Sequence, residues 1–218
     1  MEQTFDPYVY EGGTVLKNLI GVKTAKEYEA VEYNFTWPRR QQLEANPVKG
    51  DFDLKHLQEI HRRLFQDLFD WAGELRTVTL SKGASTFFAG PNWDTAAKYT
   101  FGYLHNGPLL KSNPISDSVF IENAAELLSR INYLHPFREG NGRTQRAFLD
   151  QVAGLSGRRL SWRNVGAMEN TRASILAHNA GNGKPLEPLI AQVLAPPLDG
   201  LSPFDDNVYK VTGSLAHD

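Results

Sequence analysis

The chain has 218 residues, a formal net charge of −2 and no cysteine. Without cysteine it can form no disulfide, thiolate nucleophile or cysteine zinc site, and its near-neutral charge gives no global basic field that would indicate a nucleic-acid partner. No segment approaches the roughly 20 apolar residues of a transmembrane helix, and the polar N-terminus does not resemble a signal peptide. We therefore expect one sizeable globular core, with no nucleic-acid partner and no membrane span.

The first elements after an irregular lead-in over 1–13 are two predicted helices. Apolar spacing predicts a helix over 24–35, which Pro38 should end or interrupt. A continuous apolar stripe predicts a second helix over 53–72, with Gly73 at the position where a helix stops.

A β-hairpin is predicted next, over 76–89. The segment 76–80 alternates and is rich in β-branched residues, Lys82-Gly83 forms a turn, and 85–88 forms the return strand. The remaining chain is predicted to be helical over 94–106, 117–134, 144–155, 164–180 and 188–194.

The composition changes after residue 195, where a proline-rich segment resembles a linker. We expect the core to end near 195 and 196–218 to be a linker with the possible start of a further module, so that the native protein continues past 218. The segment 207–212 has the pattern of a single strand, which is not stable alone.

The segment His135-Pro-Phe-Arg-Glu-Gly-Asn-Gly-Arg-Thr-Gln-Arg146 concentrates the chemistry of the chain. Its glycines allow close approach of the backbone to a ligand, and the first N–H groups of the helix that follows are unpaired and favour anions. Arg143 and Arg146 are three residues apart, so that one helix face can present both guanidinium groups to phosphate oxygens. This pattern predicts a polyphosphate site.

Two further residues of this segment suit catalysis. Mg²⁺ usually takes one or two carboxylates, with phosphates and water as its other ligands, which suits Glu139. A histidine can accept a proton near neutral pH, so that His135, at the end of the preceding helix, is the predicted general base. Each feature alone fits a structural role, but their combination favours an active site.

The same segment resembles the complete signature of the Fic domain family, His-Pro-Phe-x-(Asp/Glu)-Gly-Asn-Gly-Arg-x-x-Arg, at every defined position. The resemblance extends to the flanking helices and the hairpin, over roughly 14–195. It implies an all-α Fic fold, a compact helical bundle with a small β-hairpin flap. It also implies a protein adenylyltransferase that transfers AMP from ATP to a Ser, Thr or Tyr hydroxyl of a target protein and releases pyrophosphate.

The resemblance also implies the role of each site residue. His135 would deprotonate the target hydroxyl, Glu139 would hold Mg²⁺ between the α- and β-phosphates, and Phe137 would pack into the core. Asn141 would lie at the α-phosphate, and the two arginines would bind the β- and γ-phosphates. The implied nucleotide-binding residues are Gly140, Asn141, Gly142, Arg143 and Arg146.

The predicted flap has a binding role of its own. An unpaired strand edge can bind a target segment by strand addition. Target specificity would then come from residues near Lys82, Gly83 and Ala84, and the alternative is an ordinary structural hairpin.

Many members of the family carry an inhibitory helix, (Ser/Thr)-x-x-x-Glu-(Gly/Asn), whose Glu pairs with the second arginine of the signature, here Arg146. The segment 118–123 matches this pattern, but it lies inside the helix that leads to His135, and we interpret the match as chance. The segment 202–207 nearly matches, with Asp in place of Glu and a Pro.

The chain therefore resembles members that are restrained by a separate small antitoxin-like protein, which would supply a Glu to Arg146. Such members include bacterial toxins and effectors of type IV secretion. We expect the protein to be located in the bacterial cytoplasm, with delivery into a host cell as the alternative.

Three other functions are considered. The same scaffold could transfer phosphocholine or a phosphoryl group, or it could be a catalytically silent nucleotide-binding interaction module. A metal hydrolase has little support, because His56 and His61 lack the spacing of a zinc-binding helix and His178 is alone. We interpret these three histidines as surface or internally satisfied residues.

Overall fold

The computed structural model of the chain describes residues 6–82, 85–111 and 113–195. Gly83 and Ala84 of the predicted flap lie outside the described residues, as does everything from 196 onward, including the predicted linker, the strand over 207–212 and the segment 202–207.

Seven α-helices form most of the part of the chain that the structure describes. They are α1 (Ala25–Ala45), α2 (Leu54–Phe65), α3 (Trp93–Asn106), α4 (Asp117–Leu134), α5 (Asn141–Leu155), α6 (Ala167–Ala180) and α7 (Glu187–Val193). Two short antiparallel pairs accompany them: β1 (Ser81–Lys82) with β2 (Ser85–Thr86), and β3 (Arg159–Leu160) with β4 (Leu194–Ala195). The predicted all-α class with a small hairpin is confirmed.

Helix α1 is longer than the sequence pattern predicts. Its start is as expected, since the Thr24 hydroxyl caps the N–H of Glu27. The expectation that Pro38 ends or interrupts it is wrong, because α1 continues to Ala45. Leu43 is buried and Arg40 forms an ion pair with Asp150 of α5, so tertiary contacts offset the backbone hydrogen bond that proline removes.

Helix α2 is shorter than predicted. It ends at Phe65, although the apolar run continues and Leu68 and Phe69 remain buried in the turns that follow. Periodicity cannot tell such turns from a helix. The chain turns here because Trp71 stacks back onto Phe69, with ring centroids 4.1 Å apart, and Gly73 then adopts a left-handed φ of 88°.

The hairpin is present, but its strands have only two residues each. The segment 76–80 is not a strand, because it packs on the loop that follows α4: the N–H of Arg76 donates to the Pro136 carbonyl at 2.8 Å. One further bond, from the N–H of Phe87 to the Leu80 carbonyl at 3.2 Å, continues the pairing beyond β2.

Helix α4 is the central helix of the core and has the bounds that the sequence predicts. The Ser116 hydroxyl caps its first turn by accepting the N–H of Val119. Its apolar face is fully buried and contacts α3, α5, α6 and α7. That face consists of Phe120, Ala124, Leu127, Leu128, Ile131 and Leu134. None of the helices within the described ranges is long and apolar enough to cross a membrane.

Candidate active site

His135 ends α4 in a left-handed conformation, with φ 41°. Its Nδ1 lies 3.3 Å from the carbonyl oxygen of Asn132. A carbonyl oxygen can only accept, so Nδ1 carries the proton and the ring's lone pair is on Nε2. The imidazole is therefore held in the tautomer that can accept a proton at Nε2.

Residues next to the hairpin strands hold His135 in place. The buried ring of Phe87 stacks on the imidazole, with centroids 3.7 Å apart and planes 11° apart. The buried guanidinium of Arg76 donates to the carbonyls of His135, Val78 and Phe88, the first at 2.8 Å. The hairpin and the proposed base thus form one connected unit.

The turn between α4 and α5 is closed by Asn141. Its Oδ1 accepts the N–H of Phe137 at 3.0 Å, and its Nδ2 donates to the Phe137 carbonyl at 2.7 Å. Phe137 is buried, as predicted. Because both polar atoms of the Asn141 side chain bind the turn, this residue can offer a phosphate its main-chain N–H rather than its side chain.

His61 of α2 packs against this turn, a role that the sequence analysis did not predict. Its Nδ1 accepts the N–H of Gly73 at 2.8 Å, its Nε2 donates to the Glu139 carbonyl at 3.0 Å, and its ring stacks on Phe137 with centroids 3.9 Å apart. Burial lowers the pKa of His61 to about 3, so the ring stays neutral at physiological pH.

The N-terminus of α5 is an anion-binding end. Gly140 precedes it with a left-handed φ of 77°, and a Cβ there would lie 2.4 Å from Cζ of Phe65. Only glycine fits this position. The main-chain N–H groups of Asn141, Gly142 and Arg143 form no hydrogen bond with any described residue, so they remain available to a phosphate.

Glu139 lies beside these N–H groups. Its Oε1 accepts the N–H of Gly140 at 2.9 Å. Burial raises the pKa of Glu139, while Arg143 and the Gly140 N–H oppose that shift. No group of three or more metal-binding side chains occurs among the residues described. One carboxylate beside a phosphate site fits Mg²⁺, which takes its other ligands from substrate and water.

The two arginines of the signature differ in their environments. Nη1 of Arg143 lies 2.7 Å from Oε1 of Glu32 in α1, and the guanidinium sits over the ring of Phe65 at 4.6 Å. Glu32 also accepts the hydroxyl of Tyr28 at 3.3 Å; burial, and then Glu32, raise the pKa of Tyr28 above its usual range, so that it stays protonated. No hydrogen bond or ion pair joins Arg146 to the described residues, but its charge opposes the rise that burial causes in the pKa of Asp150.

A single cavity brings together most of the predicted site. The predicted residues among its lining are His135, Glu139, Gly140, Asn141 and Gly142. Neither Arg143 nor Arg146 belongs to the described lining. Sequence reasoning missed the contribution of α6, whose lining residues are Asn170, Thr171, Ser174, Ile175 and His178. Their spacing on one helix face was the available signal, although it also fits a solvated surface.

The three histidines set aside from the sequence have different positions. His61 is satisfied at both nitrogens, and His56 is buried with its Nε2 3.0 Å from Gln151. His178 does not fit the interpretation as a surface or satisfied residue, because it lines the cavity and its buried Nδ1 has no partner among described residues.

Two other predicted features can be located. Glu122 is exposed in the first half of α4, about 20 Å along the helix from His135 at 1.5 Å per residue, which agrees with a chance match to the inhibitory pattern. Lys82 lies in β1, while Gly83 and Ala84 lie outside the described residues.

A larger cavity, of about 800 Å³, lies between the loop before α4, the end of α5 and α7. Its charged lining residues include Asp117 and Arg158, which pair with each other at 3.0 Å. It contains neither a histidine nor the start of a long helix, so its chemistry does not match that of a phosphate-transfer site.

Comparisons with known proteins identify a matching family and named relatives. The family model described as the Fic/DOC family matches residues 51–153. The protein adenylyltransferase VbhT of Bartonella schoenbuchensis is 35% identical over 193 residues, which are 88% of this chain and 40% of VbhT. The probable protein adenylyltransferase Fic of Escherichia coli is 35% identical over 161 residues, 73% of this chain and 78% of that protein.

A solved structure is similar to this chain over most of its length. The chain is similar to the Bartonella tribocorum effector BepC with bound AMPPNP, with a TM-score of 0.80 and 27% identity over 87% of this chain and 96% of that one. The chain thus matches most of a solved domain but less than half the length of VbhT.

Proposed function

Since the chain belongs to the Fic/DOC family, we propose that it is a protein adenylyltransferase that transfers AMP from ATP to a Ser, Thr or Tyr hydroxyl of a target protein. The observation that carries this proposal is the cavity in which His135 faces the open N-terminus of α5. Two relatives are named as a protein adenylyltransferase and a probable protein adenylyltransferase, which supports the same activity.

The proposed reaction begins at His135. Its Nε2 takes the proton of the target hydroxyl as the hydroxyl oxygen forms a bond to the α-phosphorus of ATP. The bond from that phosphorus to the bridging oxygen breaks, and pyrophosphate leaves with the electron pair. The N–H groups that begin α5 offset the negative charge that develops on the α-phosphate oxygens.

Nucleotide binding is divided among the remaining residues of the signature. Glu139 would hold the Mg²⁺ ion whose charge offsets that of the α- and β-phosphates. Gly140, Gly142 and the main-chain N–H of Asn141 would cradle the α-phosphate. The guanidinium groups of Arg143 and Arg146 would bind the β- and γ-phosphates.

Regulation by a second protein forms part of the proposal. Arg146 forms no ion pair with a described residue, which supports a small antitoxin-like inhibitor that supplies a Glu to it. The likeness to a Bartonella effector domain supports delivery into a host cell as the alternative to the bacterial cytoplasm. We propose residues 14–195 as the Fic domain.

The test is transfer of label from ATP to protein in bacterial and eukaryotic lysates. Label at the α-phosphate should appear on a target protein, and His135→Ala should reduce the rate by roughly 10²–10⁴-fold while nucleotide affinity stays unchanged. His105→Ala is the matched control, because His105 is exposed at the end of α3. Transfer of γ-phosphate label alone would replace this proposal with phosphoryl transfer.

A further inference from the structure

Glu32 is a buried carboxylate that the proposed reaction does not use. It lies on α1, outside the residues 51–153 that the family model matches. Only 5% of its side chain is exposed, and its Oε1 lies 2.7 Å from Nη1 of Arg143. A buried carboxylate is costly unless its partners compensate, so this position calls for an explanation.

The contacts of Glu32 form a chain that ends at Glu139. The Tyr28 hydroxyl donates to Oε1 of Glu32 at 3.3 Å, and that same oxygen binds Nη1 of Arg143. The other terminal nitrogen of Arg143, Nη2, faces Oε1 of Glu139 at 3.7 Å. One guanidinium therefore lies between two carboxylates, one from α1 and one from the turn between α4 and α5.

The two distances show which carboxylate holds the arginine. The contact with Glu32 is a full hydrogen-bonded ion pair, whereas 3.7 Å exceeds hydrogen-bond distance. Stacking over Phe65 at 4.6 Å further fixes the guanidinium plane. Arg143 is thus drawn toward α1, and its contact with the Glu139 carboxylate is the longer and weaker of its two ion pairs.

That separation matters because a bound arginine and a bound metal ion compete for one carboxylate. Arg143 and Glu139 are four residues apart on the same turn and helix start, near enough to form a bidentate pair. Such a pair would occupy the oxygens that Mg²⁺ needs.

We infer that Glu32 is a positioning residue that holds Arg143 away from Glu139 and so keeps the Glu139 carboxylate available to Mg²⁺. Tyr28 is a second positioning residue, because its hydroxyl fixes the carboxylate of Glu32. The inference rests on the proposed function, since it assigns Glu139 to the metal of that reaction.

The experiment compares wild type with Glu32→Gln, which keeps the shape and removes the charge. Nucleotide affinity is measured by calorimetry with and without Mg²⁺, and AMP transfer is measured over a Mg²⁺ series. The variant should need about tenfold more Mg²⁺ for half-maximal binding and transfer, the effect of one new charge contact at a partly buried site. Its nucleotide affinity without Mg²⁺ should not fall.

Two variants separate positioning from a loss of folding. Tyr28→Phe should shift the Mg²⁺ requirement in the same direction but less, and Glu32→Asp should restore part of the wild-type behaviour. Glu27→Gln is the matched control, because Glu27 is an exposed residue of the same helix whose capping contact glutamine can replace.

A double variant gives the decisive result. In an Arg143→Gln background the competing cation is gone, so adding Glu32→Gln should change the Mg²⁺ requirement no further. An equal shift in both backgrounds, or an unchanged Mg²⁺ requirement in folded Glu32→Gln, would overturn the inference. If wild type binds nucleotide with Mg²⁺ but transfers no AMP, the proposed function fails. The Mg²⁺ requirement for nucleotide binding still tests the positioning role of Glu32.

Discussion

Two separate constraints require glycine at position 140, its backbone conformation and its close packing. Its φ of 77° is left-handed, and Cζ of Phe65 fills the space where a side chain would begin. It has to be glycine because the turn must place the first N–H groups of α5 toward the cavity while Phe65 packs beneath them.

Gly140→Ala should lower the free energy of unfolding by roughly 2–5 kcal/mol, from left-handed strain and overpacking together. It should also weaken nucleotide binding, because the helix start must shift. Thermal unfolding and calorimetric titration measure the two effects. Gly102→Ala, in open space within α3, should instead stabilise by about 0.5–1 kcal/mol; equal effects at the two sites would contradict the packing argument.

His61 gives the protein a pH dependence of stability. Its folded pKa is about 3, against 6.5 when unperturbed. Between these values the unfolded chain binds a proton that the folded protein does not. The free energy of unfolding should therefore fall as the pH falls below about 6.5, by about 1.4 kcal/mol per pH unit for this one group.

His61→Gln should reduce that slope, since glutamine does not titrate. It should also cost about 1–3 kcal/mol at neutral pH, because buried groups of Gly73 and Glu139 lose partners. Chemical denaturation at several values between pH 5 and pH 7 measures both effects. A slope that His61→Gln leaves unchanged would mean that His56, whose pKa burial also lowers, dominates instead.

At the scale of elements, the hairpin is coupled to the end of α4 through Arg76. Three carbonyl oxygens, two from the hairpin region and one from His135, bind one guanidinium. A planar fork can serve such acceptors together, whereas an ammonium group cannot reproduce the geometry.

Arg76→Lys should therefore lower kcat for AMP transfer more than it raises KM for ATP, because it loosens His135 without touching the phosphate-binding N–H groups. Steady-state kinetics give the split, and a thermal unfolding curve reports any loss of stability. A rise in KM alone would show that the hairpin acts on nucleotide binding instead. Arg62→Lys, an exposed residue of α2 that pairs with Glu59, serves as the control.

At the scale of the whole molecule, the folding unit extends beyond the residues that the family model matches. Helices α1, α6 and α7 lie outside 51–153, yet Leu43, Ala177 and Ile190 of these helices are buried in the common core. The segment 135–146 therefore packs in a core that helices from both sides of the matched region complete.

A chain limited to 51–153 should therefore show no cooperative thermal unfolding, because it exposes the apolar surface that α1 and α7 cover. A chain of residues 6–195 should unfold in one transition. Circular dichroism and calorimetry distinguish the two. Cooperative unfolding of the shorter chain would show that the outer helices are dispensable for folding.

Local patterns predicted those parts of the molecule that depend on local chemistry. Helix α4 was predicted with its observed bounds, because a capping serine and a continuous apolar face define it. The turn between α4 and α5 was predicted as a site because glycines, a histidine and a carboxylate follow one another in the chain. The match to a family signature suggested the adenylyltransferase function that we propose.

The parts that the sequence did not predict depend on long-range contacts. Pro38 would end an isolated helix, but the ion pair of Arg40 with Asp150 holds the second half of α1 in place. His61, Glu32 and the lining residues of α6 reach the site from distant positions in the chain, and no local spacing relates them to it. The commitment of the Asn141 side chain to Phe137 likewise requires knowledge of the turn's shape.

The stack of Phe87 on His135 has a consequence for spectroscopy. An aromatic ring centred 3.7 Å from the imidazole and nearly parallel to it places the imidazole C–H protons within its ring-current shielding. Their nuclear magnetic resonance signals should lie upfield of those of an ordinary histidine. Because Phe87 follows β2 directly, movement of the hairpin away from α4 would remove the shielding. The chemical shift of one histidine thus reports whether the hairpin is closed over the site.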